Sequence, residues 1–276
     1  MTPAVALPIA LPLVGCVVIG GFAPLIGTFL VQKRLSLVGD GIGHVAFAGV
    51  GAGLLLHVWP VWTALVFAVV GAVGVEVLRM RRKASGDLAL ALFFYTGLAL
   101  GAVFASRTGG LDFETLDYLF GDPFTASAAG VATIVALGVA VSAGILVLRR
   151  LLFAVVTDEE WARVAGLPVD VVNIVLAGAT AAVVVVGMRV VGILLIAALT
   201  VLPVASAQLL GRSFRTTLGM AATIGAASAA IGLLAGRWLN VAPGGAIVLV
   251  AAAVFTVVAI RKRAAPRSLI TREADA

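Results

Sequence analysis

Long apolar runs recur along the whole chain, separated by short polar joints, and no other feature restricts its fold as much. A bilayer core demands ~20 apolar residues per crossing helix. Runs of about that length lie at 8–31, 35–56, 59–79, 87–106, 128–148, 169–187, 190–210, 216–236 and 243–260. Inside lipid the backbone must satisfy its own hydrogen bonds within the segment, so such runs become helices. The expected fold is all-α: a polytopic transmembrane helix bundle of about 8–9 helices, filling residues 1–276 as a single domain. The charge content agrees, at 12% against roughly 25% in soluble domains. Two details of the runs are expectations in their own right. Val169–Leu210 is split only at Met188–Arg189, and Pro203 is expected to bend its second half. The first run has no basic flank and no small-residue cleavage site, so it reads as a retained helix rather than a signal peptide.

The polar joints set an orientation. Lys33 and Arg34 follow the first run, and Arg79, Arg81, Arg82 and Lys83 the third. Arg149, Arg150 and Arg163 follow the fifth, and Arg212 and Arg215 the seventh. Arg261, Lys262, Arg263, Arg267 and Arg272 belong to a basic tail over 261–276. If nine helices alternate, these 16 of the 19 basic residues share one side, leaving Arg107, Arg189 and Arg237 on the other. Basic joints stay in the cytoplasm, so the N-terminus is expected outside and the C-terminus inside a bacterial inner membrane. The net charge of +6 follows from these joints and gives no reason to expect nucleic acid. The single cysteine, Cys16, lies in an apolar run and forms neither a disulfide framework nor a metal cluster. Small residues repeat at four-residue spacing in the second run, at Gly39/Gly43, Ala48/Ala52 and Gly49/Gly53, and such faces let helix backbones approach closely.

The second run also carries charge. Asp40 and His44, at i and i+4, share one helix face. A helix continuing from Arg34 would carry them roughly 9 and 15 Å inward, into the hydrocarbon zone. An Asp near a helix centre costs ~2.5–3.5 kcal/mol on insertion scales, and intramembrane ionisable residues mark transport routes. Carboxylate and imidazole are ligands for a first-row divalent cation. Two ligands fall short of zinc's usual four, so two copies of the chain, each giving one Asp and one His, would complete a tetrahedral set. A buried Asp–His hydrogen bond that only locks helices is the plainer alternative. His57 closes the same run on the outer side and is read as an outer metal contact. Glu76 and Arg79 are expected to form a local ion pair, and Asp87 to favour the start of the fourth helix.

Residues 157–170, TDEEWARVAGLPVD, form a polar joint. Thr157 with the acids behind it looks like a capped helix start, and Gly166 with Pro168 like its end, so a short cytoplasmic helix over about 157–168 is expected. No G-x-x-x-x-G-K-[ST] sequence occurs, so the chain does not bind ATP in the P-loop manner. It reads as a transporter subunit and not as an enzyme, with any ATPase on a separate subunit.

Four segments, in order, resemble the permease family of zinc/manganese ABC importers. They are RLSLVGDGIGHVAFAGVGAGLLL, LDYLFGD at 116–122, DEEWARVAG at 158–166, and RVVGILLIAALTVLPVASAQLL at 189–210. The resemblance places Asp40 and His44 on the translocation path and LDYLFGD in an outer re-entrant or half-helix segment. It makes Asp158, Glu159, Ala162 and Gly166 the coupling helix toward the ATPase, and places Pro203 in a long seventh helix. It implies a homodimer of permeases, two ATP-binding subunits and an extracytoplasmic metal-binding protein. It implies no permanently bound cofactor; the cargo would be Zn2+ or Mn2+, with the donor set leaning toward zinc. A proton-coupled secondary metal transporter is the alternative, although no inverted repeat of the Asp–His segment is visible. A siderophore or cobalamin permease would need a wider and less charged path.

Overall fold

The structure is a computed structural model and describes residues 9–81, 86–108, 113–125, 127–211 and 213–264. Apolar runs bounded by helix-stopping residues give eleven α-helices among them and no strand. They are α1 (Ala10–Gln32), α2 (Val38–Leu55), α3 (Pro60–Met80), α4 (Gly86–Arg107), α5 (Phe113–Phe120), α6 (Ala128–Thr157), α7 (Glu159–Val164), α8 (Val169–Val191), α9 (Ile193–Leu210), α10 (Phe214–Leu239) and α11 (Pro243–Ala264). A 3-10 turn, Pro123–Thr125, follows α5. The boundaries have local causes. Pro60 occupies the first turn of α3, where its missing N–H costs nothing. Ser127 caps α6 by accepting from the Gly130 N–H, and Ser213 with Thr216 forms a capping box on α10. Asn240 ends α10 in the left-handed conformation.

Eight of these helices are long and apolar enough to cross a membrane: α1, α2, α3, α4, α6, α8, α10 and α11. The ninth expected crossing, α9, is apolar but shorter. It nonetheless runs from one end of the bundle to the other. At one end, Phe214 at the start of α10 packs its ring on Phe29 of α1 and Phe153 of α6. Glu159 meets Lys33 and Arg79 at that same end. At the opposite end, Arg189 of α8 stacks over Tyr118 of α5, and Arg237 of α10 over Phe124. Since α9 begins just after Val191 and ends just before Phe214, it joins the two ends. The described basic residues of those joints thus gather at one end, as the charge pattern predicts, while Arg82, Lys83, Arg212, Arg267 and Arg272 lie outside the described residues.

Small residues carry the helix crossings. A methyl on Gly49 would lie 2.6 Å from the Cα of Ala64, so α2 and α3 touch through their backbones. The Gly39/Gly43 face meets α9 at Ala197 and Ile193, in looser contact. Gly20 of α1 and Gly225 of α10 press on each other's backbone, and Gly97 of α4 sits on the backbone of His44 and Val45.

Three expectations need correction. The long run does not break at Met188–Arg189. Helix α8 continues through both residues and stops at Gly192, whose φ of 93° and ψ of 151° lie in a region essentially closed to side chains. Helix α6 continues through Arg149 and Arg150 to Thr157, because the long arginine stems let the helix carry charge past the apolar zone. Helix α2 starts only at Val38, after a turn in which Arg34 has a φ of 59°. Asp40 therefore falls in the first turn of α2 and lies nearer the helix end than an unbroken helix from Arg34 would put it. Pro203 lies inside α9, which continues past it to Leu210.

Candidate functional site

The structure brings Asp40 and His44 together. Asp40 Oδ1 and His44 Nε2 are 3.9 Å apart, too far for a hydrogen bond and wider than the roughly 3.4 Å spanned by two ~2.1 Å bonds at a tetrahedral centre. A small rotation of either side chain closes the gap. The position in the first turn of α2 explains how an acid is tolerated here, since the free N–H groups of a helix start favour negative charge. His44 is buried between helices, its ring edge-on to Phe94 of α4 at 4.2 Å between centroids. Its Nδ1 is buried with no hydrogen-bond partner. A buried polar atom left unpaired is costly, and in a site that passes a ligand that cost is offset when the ligand arrives. The Asp40 side chain is 36% exposed from the single chain, so the pair is open on one side. Among the described residues no group of three or more His, Cys, Asp or Glu could hold a metal.

His57 is not part of this pair. It is exposed in the turn after α2, with a φ of 53°, among exposed Leu56, Val58 and Trp59. It stands thirteen positions after His44 along a mostly helical chain, roughly 20 Å along the axis.

The third group of candidate residues lies at the basic end. Asp158, and not the expected Thr157, caps α7, its Oδ1 accepting from the Trp161 N–H at 2.9 Å; Thr157 is still the last residue of α6, and the short helix covers Glu159–Val164 only. Ala162 is fully buried under that helix, and Gly166 ends the turn behind it with a φ of 77° and open space around it. Glu159 has wider reach. Its carboxylate receives Lys33 at 3.4 Å, Arg79 at 3.4 Å, Arg163 at 3.4 Å and the Asn173 amide at 3.3 Å. Lys33 also donates to Asn173, and Arg79 makes the expected pair with buried Glu76. One carboxylate thus ties α7 to the ends of α1 and α3 and the start of α8. Burial works against its charge, but Lys33 and then Arg79 outweigh it and hold the Glu159 carboxyl below its usual range. Burial, helped by the positive charge of Arg79, pushes the Lys33 ammonium below its usual value despite Glu159 and Glu76.

Lys33 and Asn173 were not singled out in the sequence. Lys33 looked like one more basic joint residue, and Asn173 lies 140 residues away from it. A polar amide one turn into an apolar run was the only local signal. Gly192 was likewise hidden among the 32 glycines.

The sequence pattern of the ABC 3 transport family matches residues 9–262. The probable metal transport system membrane protein of Treponema pallidum is 33% identical over 237 residues, covering 85% of this chain and 88% of that protein. The manganese import system permease protein ScaB of Streptococcus gordonii is 27% identical over 245 residues, covering 89% and 88%. Among solved structures, PsaBC from Streptococcus pneumoniae in complex with Fab superposes with a TM-score of 0.81 at 27% identity, covering 90% of each chain. An inward-facing metal-chelate type ABC transporter superposes at 0.69 with 17% identity, a likeness of fold alone.

Proposed function

The chain belongs to the ABC 3 transport family, and from that premise we propose that it is the membrane permease of an ATP-driven importer carrying a divalent metal ion inward. The observation that carries the reading is the Asp40–His44 pair: a carboxylate and an imidazole on one face of a membrane helix, with a buried ring nitrogen unpartnered and one side open. These donors bind first-row divalent cations. The donor set leans to zinc, while relatives carry names for manganese import. Mn2+ and Zn2+ are the cargo to test.

Two donors per chain fall short of a full coordination shell, so two copies face each other with their Asp40–His44 pairs toward a shared path. ATP hydrolysis belongs to two separate cytoplasmic subunits, because the chain has no P-loop sequence. They engage α7, whose outer surface shows Trp161 and Val164, the latter 89% exposed. Asp158 and Gly166 shape that helix, Ala162 seats it, and Glu159 links it to the bundle. An extracytoplasmic metal-binding protein delivers cargo at the end formed by α5 and the His57 turn. The basic end faces the cytoplasm of a bacterial inner membrane, so the N-terminus lies outside and the C-terminus inside. Family membership favours this ATP-driven route over the proton-coupled alternative.

The test is uptake of radioactive manganese and zinc by cells expressing the chain with its ATPase. Asp40→Ala and His44→Ala are each expected to lower uptake at least ~10-fold at unchanged membrane abundance, because each removes two of the four shared donors and even the loss of a group that only supports a ligand costs about 10–100-fold. Unimpaired uptake in both variants would make the pair a structural contact and remove the path assignment.

A further inference from the structure

Helix α4 presents distinct flanks to its neighbours. Leu90, Gly97 and Gly101 meet α2, at Gly41, at the His44–Val45 backbone and at Phe47 respectively. Phe93 meets α3 at Gly74. With 3.6 residues per turn, Phe94 and Leu98 fall on the flank away from α3, and Tyr95 lies just beyond them. The rings follow this order. His44 lies 4.2 Å from Phe94, and Phe94 lies 5.2 Å from Tyr95, both edge-on between centroids. A continuous row of rings therefore leads from the metal-ligand pair to Tyr95.

Tyr95 ends that row in an unusual place for a tyrosine. Its side chain is 67% exposed from the single chain, and its hydroxyl makes no hydrogen bond among the described residues. It stands nine residues after Gly86 and twelve before Arg107, ~14 and ~18 Å from the two ends of α4. Membrane tyrosines concentrate at the headgroup levels, where the ring is in apolar surroundings and the hydroxyl in polar ones. At mid-helix, facing acyl chains, the hydroxyl would be left unsatisfied. The polar groups near this level are the unpartnered Nδ1 of His44 and, about one helical turn toward the basic end, the half-open Asp40.

We propose that Tyr95 lines the metal route. Its hydroxyl faces the water-filled space between two copies at the level of His44 and holds the hydrated cation as it meets the Asp40–His44 pair. The inference rests on that pair being the path. The phenol remains neutral; its oxygen accepts a hydrogen bond from metal-bound water, so no proton or electron is transferred. Manganese prefers more oxygen ligands than zinc, which is content with four donors, so it keeps more bound water and gains more from this contact.

The test uses the complete transporter in membrane vesicles, in a Cys16→Ala background, where the native thiol is fully buried in any case. Tyr95→Cys is expected to react with a charged thiosulfonate reagent, and saturating manganese is expected to slow that reaction several-fold. Val70→Cys, on the exposed apolar surface of α3, is the lipid-facing control and is expected to react only with an uncharged maleimide. In parallel, Tyr95→Phe is expected to raise the KM for manganese about three- to tenfold, that for zinc less than twofold, with maximal rate unchanged; this is the size of losing one hydrogen bond. If Tyr95→Cys behaves like Val70→Cys while Asp40→Cys accepts the charged reagent, the path stands and Tyr95 faces lipid. If Asp40→Cys is also closed to the charged reagent, the path reading fails with it. A KM within twofold of native for both metals in Tyr95→Phe overturns the proposal, and this variant decides the matter if the cysteine form does not assemble.

Discussion

Glu159 gathers Lys33, Arg79, Arg163 and Asn173 around one carboxylate. Its partner Lys33 has a side chain only 5% exposed. Removing the acid leaves that ammonium buried without a charged partner, only the neutral Asn173 amide beside it, which costs more than the pair was worth. Glu159→Gln is expected to lower stability by ~1–3 kcal/mol and to let α7 move without the bundle. In the assembled transporter, ATP hydrolysis should continue while metal uptake falls at least several-fold; equal losses of both would make Glu159 a folding residue only. The pH dependence has a definite sign. A carboxyl held below its usual range contributes stability that is complete above the unfolded value near ~4 and disappears as pH falls through the folded value. Thermal melts of the purified protein should show this acid step, and Glu159→Gln should lack it. At this scale the sequence was informative for residues whose meaning is local. Asp40 and His44 are visible through their spacing, and Glu159 through its place in a capped polar segment. Lys33 and Asn173 were not visible, because their role exists only once α1 and α8 are side by side.

Among the elements, the helix boundaries separate what periodicity reveals from what backbone conformation decides. Arg189 looked like the joint between two crossings because an arginine is expensive in an apolar run. In the fold its guanidinium lies 5.7 Å over the Tyr118 ring, a contact that accommodates the charge and allows α8 to continue. The actual joint is Gly192, and the reason is steric. Its φ and ψ suit glycine, and a methyl there would run into the backbone of Leu119 and Phe120. Gly192→Ala is therefore expected to reduce folded yield severely. Gly166→Ala, also at positive φ but with open space around it, should cost only ~1–2 kcal/mol. Melting temperatures of the two variants check this, and similar losses in both would show that close packing at Gly192 is unimportant. The start of α2 teaches the same lesson. The apolar run begins at Leu35, yet the chain turns until Val38, so the depth inferred for Asp40 by counting residues was too great. The turn instead gives Asp40 the favourable end of a helix.

Across the whole molecule, the all-helical bundle and its one-sided basic charge were legible because lipid imposes a length and a sidedness on every crossing. Nine apolar runs became eight long helices plus the shorter α9, and the described basic residues of the joints gathered at one end. How the helices pack was less legible, since many glycines look alike in sequence while only some, such as Gly20, Gly49 and Gly97, mark close crossings. The reading of this bundle as an ATP-driven metal importer is tested most directly in proteoliposomes that hold the chain with its ATPase subunits and binding protein. Accumulation of manganese or zinc would be measured with ATP on the cytoplasmic side and with proton gradients abolished by an uncoupler. The account predicts inward accumulation that requires ATP, survives the uncoupler and is lost in Asp40→Ala. Accumulation that ignores ATP and collapses with the proton gradient would contradict it and point to a proton-coupled carrier.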